Sequence, residues 1–103
     1  MLDFNAELNN TEIVLGYFSY PECSVCKVLK PKVQEFLRDY PGVTFLYVDI
    51  HQHPEISGQL LVFAVPTIII FYQGKEAARF SRHFSIPDLE TALNRLLTKN
   101  FNS

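Results

Sequence analysis

Three nearly unbroken apolar runs of strand length most constrain what this chain can fold into: EIVLGYF (Glu12–Phe18), VTFLYVDI (Val43–Ile50) and the TIIIFY that opens TIIIFYQGKEAARF. A strand wetted on one face alternates apolar and polar residues, so a run without alternation is expected where both faces are covered. Between the first two runs, apolar residues from Val25 to Tyr40 recur at helical spacing, which predicts a helix over Cys23–Tyr40 that Pro31 should kink. Pro41-Gly42 stops it, and strand, helix, strand implies a right-handed parallel crossover. Pro54 then suits the first turn of a short helix carrying Ile56, Leu60 and Leu61 inward. Gln73-Gly74 is a hairpin signal, although the strand after it holds two alanines and is less β-prone. Ser85 and Asp88 match a capping box before a helix whose stripe is Leu89, Ala92, Leu93, Leu96 and Leu97. A short helix is expected over residues 3–10. The order after residue 12 is therefore β, α, β, α, β, β, α, an α/β chain whose sheet carries helices on both faces.

With 103 residues the chain can build one modest core, and residues 1–103 are read as a single domain. A composition 48% hydrophobic and 14% aromatic is that of a compact protein. Nine Lys and Arg against eleven Asp and Glu give a net charge of -2, and the basic residues are scattered, so nucleic acid is not an expected partner. The longest apolar run, Leu60–Tyr72, is broken by Pro66 and falls short of the ~20 residues of a spanning helix, so no membrane is expected. MLDFNAELNNTE has no apolar stretch after a basic residue and is not expected to be a signal peptide, which makes a cytoplasmic location the expectation. A permanent structural disulfide is not expected in that compartment, whereas a transient one remains open.

Two cysteines stand in SYPECSVCKVLKP with two residues between them, at the junction of the first strand and its helix. There the unpaired N–H groups and dipole of the helix favour a thiolate, which points to Cys23 as nucleophile. Cys26 lies about one turn further in and suits a resolving thiol that attacks a mixed disulfide. Other readings stand beside this one: two small buried hydrophobes, a structural disulfide, or half of a zinc site completed by His51 and His53. Those two histidines otherwise read as part of a polar turn leading into a helix.

These segments resemble the thioredoxin family from about residue 12 to the end. CSVCKVLKP resembles the family's Cys-x-x-Cys-Lys followed by a helix-kinking proline, VDIHQHPEI resembles the segment after its next strand, and FAVPTIIIFYQGKE resembles its Val-Pro-Thr, apolar strand and glycine turn. The resemblance implies a thioredoxin-like fold with a cis-proline at Pro66 facing the cysteine pair. No counterpart of the family's usual first strand precedes DFNAEL. The sheet should then be four-stranded and mixed, in the order 2-1-3-4, with TFLYV at an edge that helix 3–10 or a weak homodimer could cover. The resemblance also implies a thiol-disulfide oxidoreductase working through Cys23 and Cys26, with no tightly bound cofactor and no metal. Its expected partners are disulfide-containing proteins as substrates and a separate reductase or a low-molecular-weight thiol as electron donor. Expected substrate-binding residues are Ser24, Val25, Val65, Pro66, Arg82 and His83, with the backbone at Val65 pairing an extended substrate segment. A non-catalytic binding or assembly module is the rival reading.

The chain departs from the family pattern at the site itself. Tyr17 stands where the family has a buried aspartate that moves the proton of the resolving cysteine, and Tyr47 where it has the accompanying lysine, so a slower second step is expected. Glu22 replaces the tryptophan before the nucleophile and disfavours a second negative charge there unless it points into water. Ser24-Val25 replaces Gly-Pro. Arg82 and His83 replace a glycine-containing loop, where cations would favour the Cys23 thiolate.

Overall fold

The computed structural model describes residues 4–10 and 12–102, with side chains described for 4–8 and 12–98. The elements are α1 (Phe4–Asn10), β1 (Ile13–Ser19), α2 (Ser24–Phe36), β2 (Val43–Asp49), α3 (Pro54–Gln59), β3 (Thr67–Tyr72), β4 (Lys75–Ser81) and α4 (Ile86–Asn102). They build a four-stranded sheet in the order β2-β1-β3-β4. β1 pairs with β2 in parallel, while β3 is antiparallel to both β1 and β4. The expected mixed sheet and strand order are thus observed.

The unbroken apolar runs are explained by two cores, one on each face. Ile13, Leu15 and Tyr17 of β1 and Ile68 and Ile70 of β3 meet Val33 of α2 and Leu89 and Leu93 of α4. The alternate residues Val14, Phe18, Ile69 and Phe71 meet Phe4 and Leu8 of α1 and Ile56 of α3. Successive side chains on a strand point to opposite faces, so every position of β1 must be apolar or small. Gly16 is the small one: a Cβ there would lie 2.9 Å from the Phe18 ring and 3.3 Å from that of Phe71. Phe4 stacks edge-on against Phe18 and Phe71, at centroid distances of 6.3 and 5.6 Å. The described part of α1 therefore lies across the sheet face and not along the β2 edge.

Several boundaries move from the sequence expectation for identifiable reasons. Cys23 caps α2 instead of opening it, and the helix tightens into a 3-10 turn at Leu37–Asp39 before Pro41. α3 ends at Gln59, and Leu61, expected to point inward, is 64% exposed. The chain leaves α3 through a Schellman motif, with Val62 N–H bonded to Ser57 C=O at 2.9 Å and Leu61 N–H to Gly58 C=O at 3.3 Å. That motif puts Leu61 in the left-handed region (φ 56°), turns its side chain outward and buries Val62 instead. Gln73 and Gly74, both at positive φ (51° and 82°), form the tight β3–β4 turn, as a primed hairpin turn requires. Ser85 and Asp88 form a reciprocal capping box, Ser85 N–H to Asp88 Oδ2 at 2.8 Å and Asp88 N–H to Ser85 Oγ at 3.4 Å. Among the described residues no helix is long and apolar enough to cross a membrane.

Candidate active site

β1 ends at Ser19 and α2 begins at Ser24, so the turn between them delivers Cys23 to the mouth of the helix. Its N–H bonds Tyr20 C=O at 3.1 Å, and its Sγ accepts the backbone N–H of Cys26 at 3.2 Å. One donor left unpaired by the start of the helix is thereby aimed at sulfur, and the positive end of the helix dipole favours negative charge at this atom. Cys26 is 2% exposed, whereas Cys23 is only partly buried. The two form a disulfide with Cα atoms 5.3 Å apart. They are a bonded pair and not two independent small hydrophobes. Among the described residues no three His, Cys, Asp or Glu side chains converge as a metal site.

Tyr17 reaches the pair from beneath. Its buried hydroxyl donates to the backbone C=O of Cys26 at 2.7 Å, so the phenol ties the first turn of α2 to β1. The ring lies against Phe45 and stacks with Tyr47, at 5.8 and 6.3 Å between centroids, while Lys30 Nζ sits 4.6 Å above the Tyr47 ring. Burial, and secondarily Tyr47, raises the Tyr17 pKa to about 12. A group that stays protonated to so high a pH is a hydrogen-bond donor and not a base near neutrality. The sequence displays the loss of the aspartate but not this replacement, because the acceptor is a backbone atom that no residue type encodes.

Glu22 points outward, its Oε1 3.8 Å from Nδ1 of His51, a contact that becomes an ion pair when the imidazole is protonated. His51 also stacks on Tyr20 at 4.5 Å between centroids. Asp49 holds the turn that carries His51, its Oδ1 accepting the N–H groups of His51 and Gln52 at 2.9 and 3.2 Å. His51 thus stands in the expected polar turn and touches Tyr20 and Glu22 from there, whereas His53 faces Glu55 on its own short helix at 3.5 Å.

Beside the disulfide lies a groove of about 320 Å³. Its apolar lining comes from Val25, Val28 and Leu29 of the first turns of α2, from Pro66, and from Phe84; Lys32 and Arg82 complete it. The Val65–Pro66 peptide bond is cis, Pro66 C=O accepts the N–H of Arg82 at 3.2 Å, and Thr67 Oγ1 bonds Ala64 C=O at 2.6 Å and meets Ser81 Oγ at 3.0 Å. Of the residues singled out in the sequence, the groove brings together Val25, Pro66 and Arg82. Val65 is half-buried and packs on the same core cluster as Cys23. Ser24 and His83 are exposed and do not line the groove. Val28, Leu29, Lys32 and Phe84 line it without having been expected there.

The thioredoxin family model matches residues 2–95. The chain belongs to the thioredoxin family. It is 30% identical over 80 residues to a thioredoxin-like protein of Bacillus subtilis, covering 78% of this chain and 71% of that protein. With the thioredoxin of Chlamydia trachomatis it shares 39% identity over 67 residues, 65% of this chain and 66% of that one. The structure of thioredoxin 1 from Thermosipho africanus superposes with a TM-score of 0.78 at 34% identity, covering 84% of this chain and 97% of that chain. Family and bonded cysteine pair together make this thioredoxin-family chain a thiol-disulfide oxidoreductase with Cys23–Cys26 as its redox-active disulfide. The rival reading as a non-catalytic module is not favoured. The family acts on disulfide-bearing proteins with a reductase as electron donor.

Proposed function

We propose that Cys23 makes the first attack and Cys26 the second. The reduced Cys23 thiolate displaces one sulfur of a substrate disulfide, forming a mixed disulfide and releasing the first substrate thiolate, which takes up a proton. Cys26, deprotonated, then attacks Cys23 Sγ; the Cys23–Cys26 bond forms and the second substrate thiolate leaves. Two electrons have passed to the substrate, and a separate reductase or a low-molecular-weight thiol returns them to the oxidised pair. The observation that carries this order is the difference in access, with Cys23 at the helix cap and Cys26 2% exposed. Tyr17 serves here as a fixed donor to the Cys26 backbone, so the proton of Cys26 leaves through water or through the departing thiolate. The groove at Val25 and Pro66 receives the substrate chain, with the backbone at Val65 available to pair with it as an added strand, and Ser24 and His83 border the approach. A reducing compartment such as the cytosol fits a pair that must be re-reduced after every turnover.

Insulin reduction with dithiothreitol as donor tests the assignment. Cys23→Ser is expected to lose turnover, and Cys26→Ser to accumulate a covalent adduct through Cys23, visible by mass spectrometry. An adduct that forms readily at Cys26 in the Cys23→Ser variant would reverse the roles.

A further inference from the structure

The groove beside the disulfide is not electrically neutral, although the chain as a whole carries a net charge of -2. Its lining contains two cations, Lys32 and Arg82, and no carboxylate. Among the described residues neither cation has a carboxylate within ion-pair distance, whereas Arg38 and Arg79 are both paired, with Glu35 and Glu76. The element that forms one wall adds to the same sign: α2 begins here, presents the positive end of its dipole and has no acidic residue in its first turn. Glu22, the carboxylate adjoining Cys23, is directed to His51. The same lining holds exposed apolar side chains, Val25 at 64% and Val28 at 60%. Arg82 is also held in an unusual way. Its φ of 61° is in the left-handed region, where a side chain costs ~1–2 kcal/mol, and its N–H bonds Pro66 C=O at 3.2 Å, so its backbone is anchored to the proline of the groove.

We propose that this groove selects protein disulfides whose flanking residues are apolar next to the cysteine and acidic a few positions away, with Lys32 and Arg82 receiving the carboxylates. The proposal rests on the oxidoreductase reading above and narrows its substrate class. Two solvent-exposed charges give a modest preference that salt weakens, since exposed pairs are individually small and screened beyond about 10 Å at about 0.1 M salt. They act on the encounter and on the orientation of the bound segment, not on sulfur exchange itself.

The test uses the pre-reduced full chain and three short disulfide-linked peptides that are identical except for Glu, Gln or Lys near the cysteine. Each apparent second-order rate constant from stopped flow is divided by that peptide's rate with dithiothreitol, which removes intrinsic differences in disulfide reactivity. The normalised rate is expected to be about three- to tenfold higher for the Glu peptide than for the Lys peptide at low salt, with the gap closing as salt rises. The double charge reversal Lys32→Glu, Arg82→Glu is expected to invert the order, and the salt series on the unaltered chain reads the same preference without any variant. Equal normalised rates for the three peptides, or a preference for the Lys peptide, would overturn the proposal while leaving the oxidoreductase reading intact. Failure to reduce any of them faster than the matched Cys23→Ser variant would instead remove that reading and the specificity with it.

Discussion

The Tyr17 hydroxyl lies in the interior with its proton committed to the Cys26 carbonyl, 2.7 Å away, and that bond limits what the residue contributes. The phenol supports Cys26 by position and, keeping its own proton, offers that cysteine no base. Stability should report the burial of the same hydroxyl, which is the main cause of its raised pKa. Above the ordinary tyrosine value of 10.0 the unfolded chain loses this proton, while the folded one keeps it to about 12. The unfolded state then binds fewer protons, so stability falls as pH rises. The contribution is fully present below about pH 10 and is lost as pH climbs through about 12. Tyr17→Phe is expected to cost about 1 kcal/mol near neutrality, the usual net worth of such a bond. It should also flatten the alkaline decline. Urea denaturation of both proteins at about pH 8 and about pH 11 measures the two effects. If the stability difference between them were the same at both pH values, Tyr17 could not be the group that titrates.

Three of the described helix ends are held by three different devices, which differ in how far residue type dictates them. At α4 the Ser85–Asp88 box is written in the side chains themselves, so the start of that helix was legible. At α2 the cap is a sulfur, which ties the beginning of the helix to the chemistry of the site. At α3 the end is a Schellman motif closed by main-chain bonds, with Leu61 where glycine is the usual residue. A helical period carried through Leu60 and Leu61 could not foresee this, because the motif reverses the direction of the next side chain without altering the apolar pattern. Leu61 gains little from burial at 64% exposure while bearing the left-handed penalty. Leu61→Gly is therefore expected to stabilise the protein by about 0.5 kcal/mol, the relief of backbone strain outweighing the added freedom of the unfolded chain. A thermal midpoint rising by a few degrees would agree with this. A midpoint lowered by the substitution would mean that the exposed leucine makes contacts worth more than the strain.

Across the molecule, local pattern revealed the layers, while convergence between distant segments stayed hidden. Apolar runs covered on both faces required helices above and below the sheet, and the motif resemblance supplied the strand order. The groove was legible only where a motif marked it, at Val25, Pro66 and Arg82. Val28, Leu29, Lys32 and Phe84 join it because α2 and the segment after β4 meet in space, a contact with no sequence signature. Arg79 shows the same kind of long-range tie. From the edge strand β4 it donates to Leu60 C=O at 2.6 Å and Leu61 C=O at 3.2 Å, the carbonyls at the end of α3, while Nε and an NH2 group grip the Glu76 carboxylate at 2.9 and 2.8 Å. Its hydrogen bonds to Glu76, more than the charge itself, hold the Glu76 carboxyl below the ordinary carboxylate range against the opposing effect of partial burial. The folded pKa lies below the unfolded value of 4.5, so this stabilisation is present above that pH and fades as pH falls through the folded value. Arg79→Ala removes both the ion pair and the two carbonyl contacts. It is expected to cost about 1–2 kcal/mol at neutral pH, a figure that already discounts the partly exposed pair for solvent screening. The gap between wild type and Glu76→Gln should narrow as pH falls below the unfolded value of 4.5, whereas part of the Arg79→Ala gap should persist in acid, because the carbonyl bonds do not depend on the carboxylate. Denaturant midpoints of the three proteins at about pH 7 and about pH 3 separate the two contributions. An Arg79→Ala deficit that vanished entirely in acid would show that the tie to α3 adds nothing beyond the ion pair.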